Sequence, residues 1–282
     1  MANETTLDTL TLIKQQFWRG QLLQQAYASM GPVNRVLNVT GDVAGKGDKL
    51  NIDIMPSITV NAVGSDGALT VQALTPTEAE LTVDKDYAST IEIVRTARRQ
   101  TLDSLETSFV PQAGGALGAQ IVTDVLALQS GISQTAGDGT GRIGKDELLK
   151  AMSNAIAIDL PAIEQPGMFT YALSELEYAG LKKEGLFTEM QQSGVAGGFT
   201  ARLGDVFGVP TFFSSKVASS GGERKNLFFH REAFAWGIQK NMEFREADGL
   251  ANAKNTIVKI VWALYGVKTV RATYATVLRG AA

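Results

Sequence analysis

Gly139-Thr-Gly-Arg-Ile-Gly144-Lys145 has the G-x-x-x-x-G-K spacing of a phosphate-binding loop, in which backbone N–H groups cradle phosphate oxygens and the lysine neutralises them. The next residue is Asp146, where that chemistry needs a Ser or Thr hydroxyl for magnesium, and a carboxylate there repels phosphate. The motif also needs a strand directly before it, and Gln129 to Ala136 read poorly as one. The segment therefore reads as a glycine-rich linker entering a helix, with Asp146 and Glu147 favourable at the positive N-terminus. His230 is the single histidine, so a Ser–His–Asp triad would have to use it, and no G-x-S-x-G elbow occurs. Between Phe229 and Arg231 it reads as structural. The absence of cysteine excludes disulfides, thiolate nucleophiles and zinc–thiolate sites, and one histidine leaves no strong transition-metal set. The carboxylate pairs Asp84/Asp86 and Glu175/Glu177 read as strand-face and helix-surface charges. Nothing singles out a catalytic pair of the glycosidase kind, so a carboxylate-dependent hydrolase stands only as an alternative. No cofactor or metal is implied, and the chain reads as a non-enzyme.

The 282 residues suffice for one large domain or two small ones with a sizeable core. Hydrophobic residues make up 44% and charged residues 20%, the balance of a globular chain rather than a disordered one. A net charge of −3, from 26 basic and 29 acidic residues, argues against a dedicated nucleic-acid binder but not against a protein that merely encloses nucleic acid. The start, Met1-Ala2-Asn3-Glu4, has neither the basic nor the apolar region of a signal peptide. Ile257 to Val267, the most apolar stretch, contains Lys259 and is too short to span a bilayer, so no membrane role is expected.

The strongest pattern lies outside all of this chemistry. From Lys49 to Val83 apolar residues alternate with polar ones: Leu50, Ile52, Ile54, Ile58, Val60, Ala62, then Leu69, Val71, Ala73, Leu81 and Val83. Period two marks strands, and Gly64-Ser65-Asp66-Gly67 provides turn residues near the middle. Two limbs of about 15 residues, at ~3.3 Å each, reach roughly 50 Å. That equals the breadth of a compact chain of this length, roughly 50 Å across. Such an arm, with an apolar stripe, needs another molecule to lie on. Pro56 is its weak point, where the first limb is expected to kink.

The other elements form the setting. Leu10, Ile13, Phe17 and Trp18, then Leu22, Leu23, Ala26 and Tyr27, predict a helix over 7–30 that ends at Gly31-Pro32. It packs either on its own core or, as an N-terminal arm, on a neighbour. A strand, Ser89 to Val94, leads to a basic cluster, Arg95, Arg98 and Arg99, which reads as solvated surface more simply than as a phosphate contact. A helix over 99–108 is followed by a second that Pro111 opens and that runs to Gly131. Gly114, Gly115 and Gly118 weaken its start but allow a neighbouring segment to pack closely. The glycines of 131–144 mark the clearest boundary. A helix over Lys145 to Ile158, a strand over Met168 to Leu173, and a helix over Ser174 to Lys183 follow. Ser174 and Glu177 have capping-box spacing. Phe212, Phe213, Phe228, Phe229, Phe234 and Trp236 read as core rather than as a ligand pocket. Two strands, Thr256 to Gly266 and Val267 to Leu278, close the chain, with Gly266 as the bend between them. Strands flanking a helix-bearing middle predict an α+β fold whose middle is inserted between parts of one sheet.

Three segments in this order resemble major capsid proteins of tailed double-stranded DNA phages, the Hong Kong phage-type fold. Gly47-Asp48-Lys49-Leu50-Asn51-Ile52 is similar to the opening of that family's extended E-loop. Ala116-Leu-Gly-Ala-Gln-Ile-Val-Thr-Asp124-Val-Leu is similar to its spine helix. Leu203-Gly-Asp-Val-Phe-Gly-Val-Pro-Thr-Phe-Phe-Ser-Ser, Asn226-Leu-Phe-Phe-His-Arg-Glu-Ala-Phe-Ala-Trp-Gly-Ile-Gln and Leu264-Tyr265-Gly266-Val267-Lys268 resemble the close of its axial domain and the return to its peripheral sheet. The resemblance implies an N-terminal arm with its helix over 1–38, an E-loop and adjoining strand over 39–95, and a spine-helix region of the peripheral domain over 96–138. An axial domain over 139–238 and peripheral return strands over 239–282 complete it. It departs from the pattern in Pro111 and Gly114-Gly115, which are expected to break or shorten the spine helix.

The resemblance also implies a function: self-assembly as hexamers and pentamers into the icosahedral shell of a virion, built in the host cytoplasm around DNA that it does not read. Leu50, Ile52, Ile54, Ile58, Val60, Leu69, Val71, Leu81 and Val83 would form one subunit interface, and Leu10, Ile13, Phe17 and Trp18 a second. A portal, a separate scaffolding protein and a decoration protein are the implied partners. Some members join subunits through Lys–Asn bonds; Lys46, Lys49 and Lys85 lie near the arm, and no position is assigned to that chemistry. An encapsulin-type nanocompartment shell protein is the nearest alternative, and an adhesion module a more distant one.

Overall fold

The computed structural model describes residues 21–27, 29–44, 47–56, 58, 60–63, 69, 71–73, 75–158, 167–183, 206–248 and 256–282. Its longest element is helix α3, Arg95–Ala127, which runs through Pro111 without a break. The sequence predicts two helices there, because proline removes an N–H from the ladder and crowds the preceding turn, at a cost of ~3 kcal/mol. Burial offsets that cost. Val110, Ala113, Leu117, Ile121 and Val125 recur at three- and four-residue steps and are all buried.

The glycines of α3 answer to a second helix, α1, at residues 21–27. A Cβ on Gly114 would lie 2.7 Å from the Leu22 carbonyl oxygen, and one on Gly118 2.6 Å from that of Ala26. The two helices cross at a distance only glycine permits. Leu22, Ala26 and Met30 are fully buried in the chain's own core. The described end of the predicted 7–30 helix is therefore packed at home.

Three further helices among the described residues are α2 (Thr40–Val43), α4 (Lys145–Ala157) and α5 (Glu175–Lys183). The strands are β1 (Leu37–Asn38), β2 (Lys49–Ile54), β3 (Thr77–Thr82), β4 (Lys85–Val94), β5 (Thr135–Ala136), β6 (Phe169–Leu173) and β7 (Thr211–Phe213). After them come β8 (Ser219–Ser220), β9 (Glu223–His230), β10 (Phe234–Asp248), β11 (Thr256–Thr269) and β12 (Ala275–Ala281).

Among the described residues the strands form three sheets. One has the order β1-β10-β11-β4, a second β5-β12-β9-β6-β7 with β8 beside β9, and the third is the β2-β3 pair. The β10–β11 and β11–β4 pairs are antiparallel, and α3 covers one face of this sheet. Tyr265 of β11 donates to Asp124 of α3 at 2.6 Å, and Gln120 donates to the other oxygen at 3.1 Å. Burial, then the Asp124 carboxylate, push the Tyr265 phenol above its ordinary range, so it stays a donor.

The second sheet is buried on both faces, as period two dictates. Leu227, Phe229, Ala275 and Val277 join the core around α3, while Phe228, Phe169, Tyr171 and Leu278 join a second core with α4 and α5. The aromatic concentration is thus divided between two cores rather than gathered round a pocket.

Three sequence expectations are corrected here. Gly266 lies inside β11 and makes no bend; the break comes at the 3₁₀ turn Ala272–Tyr274. Residues 131–144 are not a free linker. They carry β5, which pairs in parallel with β12, and the Ala136 side chain is fully buried. Ser174 and Glu177 form no capping box: the Ser174 N–H donates to Asn226, and Glu177 accepts from Ile143 instead.

Candidate assembly interface

The G-x-x-x-x-G-K loop already holds anions, and they are the chain's own. Asp138 accepts from the Thr140 N–H at 2.9 Å, Glu177 from that of Ile143 at 2.9 Å, and Glu147 from that of Gly144 at 2.9 Å. The amides that would cradle a phosphate are taken by carboxylates, which would also repel one. Glu177, read from sequence as a surface charge, is fully buried because it serves this loop from α5.

His230 is buried between the rings of Phe169, 5.1 Å away, and Tyr274, 5.6 Å away. Its Nδ1 accepts the Glu232 N–H at 3.2 Å, and burial holds its pKa below the ordinary value. A shallow cavity of about 210 Å³ lies beside β9 and β12, lined by Gln129, Thr135, Lys225 and the Glu223–Arg279 ion pair. Hydrogen bonding to Arg279 keeps the Glu223 carboxyl below its usual range, a poor state for a proton donor. Among the described residues no group of three or more His, Asp or Glu side chains is placed to hold a metal.

The arm divides at its middle. β2 and β3 pair antiparallel from Lys49↔Thr82 to Ile54↔Thr77, six pairs rather than two limbs of about 15 residues. Prolines end the ladder. One step further Met55 would face Pro76, and the next step would put Pro56 opposite Thr75, so two donors are missing in succession. Pro56, the expected weak point of the first limb, thus acts together with Pro76 on the second. Lys49 pairs with Glu80 at 2.8 Å, and Asn51 donates to Glu78 at 2.8 Å, which lock the register.

The foot of the arm is fastened to its own body. Leu81 and Val83 pack with Val39, Val43 and Ala235, and Leu50 and Ile52 lie half-buried on the same cluster. Gly266 lets β3 approach β11 so closely that a Cβ there would fall 2.3 Å from the Thr82 oxygen. Leu81, at 0% exposed, and Val83, at 8%, are therefore unavailable to a neighbour; the interface expected of them is corrected to an intrachain one.

Beyond the ladder the exposure reverses: Ile58 is 71% exposed, Val60 94%, Leu69 74% and Val71 90%. Met55 and Val63 are exposed beside them. Ile54, Leu50 and Ile52 occupy the half-buried middle. The turn residues Gly64-Ser65-Asp66-Gly67 and the N-terminal set Leu10, Ile13, Phe17 and Trp18 lie outside the described residues.

A hairpin leaving the body beside a four-stranded sheet, a long helix across that sheet, and a second sheet that β12 completes after β10 and β11 have joined the first make up an α+β fold of the Hong Kong phage-type capsid kind. The chain superimposes on a structure from Mycobacterium phage Che8 with a TM-score of 0.66 at 19% identity, over 87% of this chain and 89% of that one. The capsid of Ralstonia phage GP4 matches with a TM-score of 0.64 at 11% identity, over 88% and 87%. A virus-like particle from Pyrococcus furiosus matches with a TM-score of 0.60 at 11% identity, over 94% and 99%. No protein-family model and no curated protein sequence matches the chain.

Proposed function

We propose that this chain is a phage major capsid protein that self-assembles, as hexamers and pentamers, into the icosahedral shell enclosing a double-stranded DNA genome. The observation that carries the reading is the exposed apolar stripe of the distal arm, on a fold shared over most of its length with phage capsids. A stripe of this kind in water is unfavourable at ~25 cal/mol per Å², so burying Ile58, Val60, Leu69 and Val71 on a neighbour contributes several kcal/mol per contact. Repeated round closed rings, such contacts suffice for a stable shell. The arm acts as the E-loop, α3 as the spine helix of the peripheral domain and 139–238 as the inserted axial domain, which β12 returns to complete. The protein's role is structural and its place is the virion, with assembly in the host cytoplasm. A portal, a separate scaffolding protein and a decoration protein are its further partners, and Leu10, Ile13, Phe17 and Trp18 form a second contact between copies.

A nanocompartment shell is the second reading, favoured by the match to the Pyrococcus furiosus virus-like particle. Electron microscopy of the purified protein tests both. The expected result is closed particles, and deletion of residues 58–73, which spares the β2–β3 ladder, leaves a folded subunit that forms none. Normal particles from the deletion variant would overturn the arm's role. Particles carrying protein cargo in place of DNA would move the reading to a compartment.

A further inference from the structure

We propose that Arg271 sets the angle at which the arm leaves the body, and so acts as a positioning residue for assembly; the assembly half of this rests on the capsid reading above. The arm's foot is held at its root. Leu81 sits in its pocket, Thr82 crosses Gly266, and Gln239 of β10 donates to the Gly47 oxygen at 3.2 Å. These fixings, with Leu50 and Ile52 packed beside Leu81, hold the proximal half of the ladder and leave a pivot beyond it. A second holding point further out turns the pivot into a fixed angle. That point is Met55, one residue past the last paired position and roughly 25 Å along the strand from Gly47. The Arg271 guanidinium donates through Nη2 to the Met55 oxygen at 3.4 Å.

Arg271 is itself firmly mounted. Its Nη1 donates to the Tyr274 hydroxyl at 3.0 Å, and the guanidinium lies 5.0 Å from the centre of that ring. The backbone N–H groups of Val270 and Arg271 both donate to the Ala233 oxygen, at 2.8 and 3.1 Å. Arg271 thus belongs to the turn that carries the chain from β11 in the first sheet to β12 in the second. A guanidinium with fixed, planar donors can hold Tyr274 with one arm of its fork and Met55 with the other; an ammonium cannot reproduce that geometry. The same residue therefore ties the arm to the junction of the two large sheets, and any change in how the sheets meet reaches the arm.

The chain has no cysteine, so Asp53→Cys on the ladder and Ser153→Cys on α4 give a unique pair of spin-label sites. Electron–electron resonance on the full-length protein is expected to give a narrow distance distribution. Arg271→Ala broadens it while circular dichroism and the thermal midpoint stay near those of the parent. The concentration at which shells appear rises about threefold to tenfold, the worth of one ordinary, solvent-exposed hydrogen bond. Arg271→Lys restores it only in part. An unchanged, narrow distribution in Arg271→Ala, with an unchanged threshold, overturns the proposal. If the parent protein forms no shells at all, the capsid reading falls, and the distance distribution alone then decides whether Arg271 positions the arm.

Discussion

Leu81 and Leu69 lie on the same limb of the same arm, twelve positions apart, and the molecule treats them oppositely. Leu81 is enclosed by Val39, Val43 and Ala235, while Leu69 stands in water. Both belong to one alternating pattern, so periodicity cannot tell them apart. The difference comes from what lies across from each. The foot passes over Gly266, which clears a path for the β3 backbone. The tip projects past Pro56 and Pro76, where the ladder ends. One arm thus carries two kinds of apolar surface. The proximal one belongs to folding, and the distal one is left over for another molecule.

The largest effect separates the two. Leu81→Ala removes a fully buried side chain and is expected to cost about 2–5 kcal/mol in urea unfolding, because the pocket collapses only partly. The pair Val60→Ser and Val71→Ser, at exposed positions, is expected to change stability by no more than about 0.5 kcal/mol each while abolishing shells in micrographs. Equal stability losses in the two variants would mean that the tip packs on its own body, and the contrast would be broken.

Gly266→Ala is expected to have the next largest effect. A Cβ there meets backbone, the Thr82 oxygen at 2.3 Å, which has no rotamer by which to retreat. The strand pair must separate, at a cost of about 1–3 kcal/mol by thermal unfolding, typical of overpacking. Hydrogen exchange should quicken in β2 and β3 and stay unchanged in β9 and β12. Uniform quickening across both large sheets would show that the foot is not a separate unit and that Gly266 supports the whole fold.

The same glycine explains how far the fold was legible in the sequence. Period-two alternation locates the arm, and three- and four-residue spacing locates α1 and the second half of α3, because those signals repeat along the chain. Gly114 and Gly118 signal a weak helix start with room for a close neighbour, but not which neighbour, and Gly266 signals a bend. Their actual work is to admit Leu22, Ala26 and Thr82, residues distant in sequence. Pro111 was read as a boundary for the same reason: burial of Ile121 and its neighbours, which carries the helix through, is a tertiary fact. Arg271 had no sequence signal, since its acceptor is a backbone oxygen 216 residues away. The loop at 139–145 shows the converse, a pattern that matched locally while Asp138, Glu147 and Glu177 already occupied its donors.

Glu177 provides the smallest effect and the sharpest contrast with the arm, because its surroundings are closed where the tip's are open. Burial, the largest influence, raises its pKa above the ordinary 4.5, against the lowering by the Ile143 amide, Arg142 and Arg224. Between 4.5 and the raised folded-state value, the folded chain holds a proton that the unfolded chain has released. The stability that Glu177 contributes is therefore greatest below 4.5 and falls as pH rises through that window. Glu177→Gln keeps a carbonyl for the Ile143 N–H and cannot ionise. The thermal midpoint of the variant should accordingly gain on the parent's as pH rises from about 4 to about 8. His230, whose lowered pKa makes acid destabilising below 6.5, affects both proteins alike and cancels in the difference. A difference of the opposite slope would mean that Arg142 and Arg224 hold Glu177 ionised in a buried ion network. The second core would then draw stability from that charge, and neutralising it would weaken the site that closes the 139–145 loop.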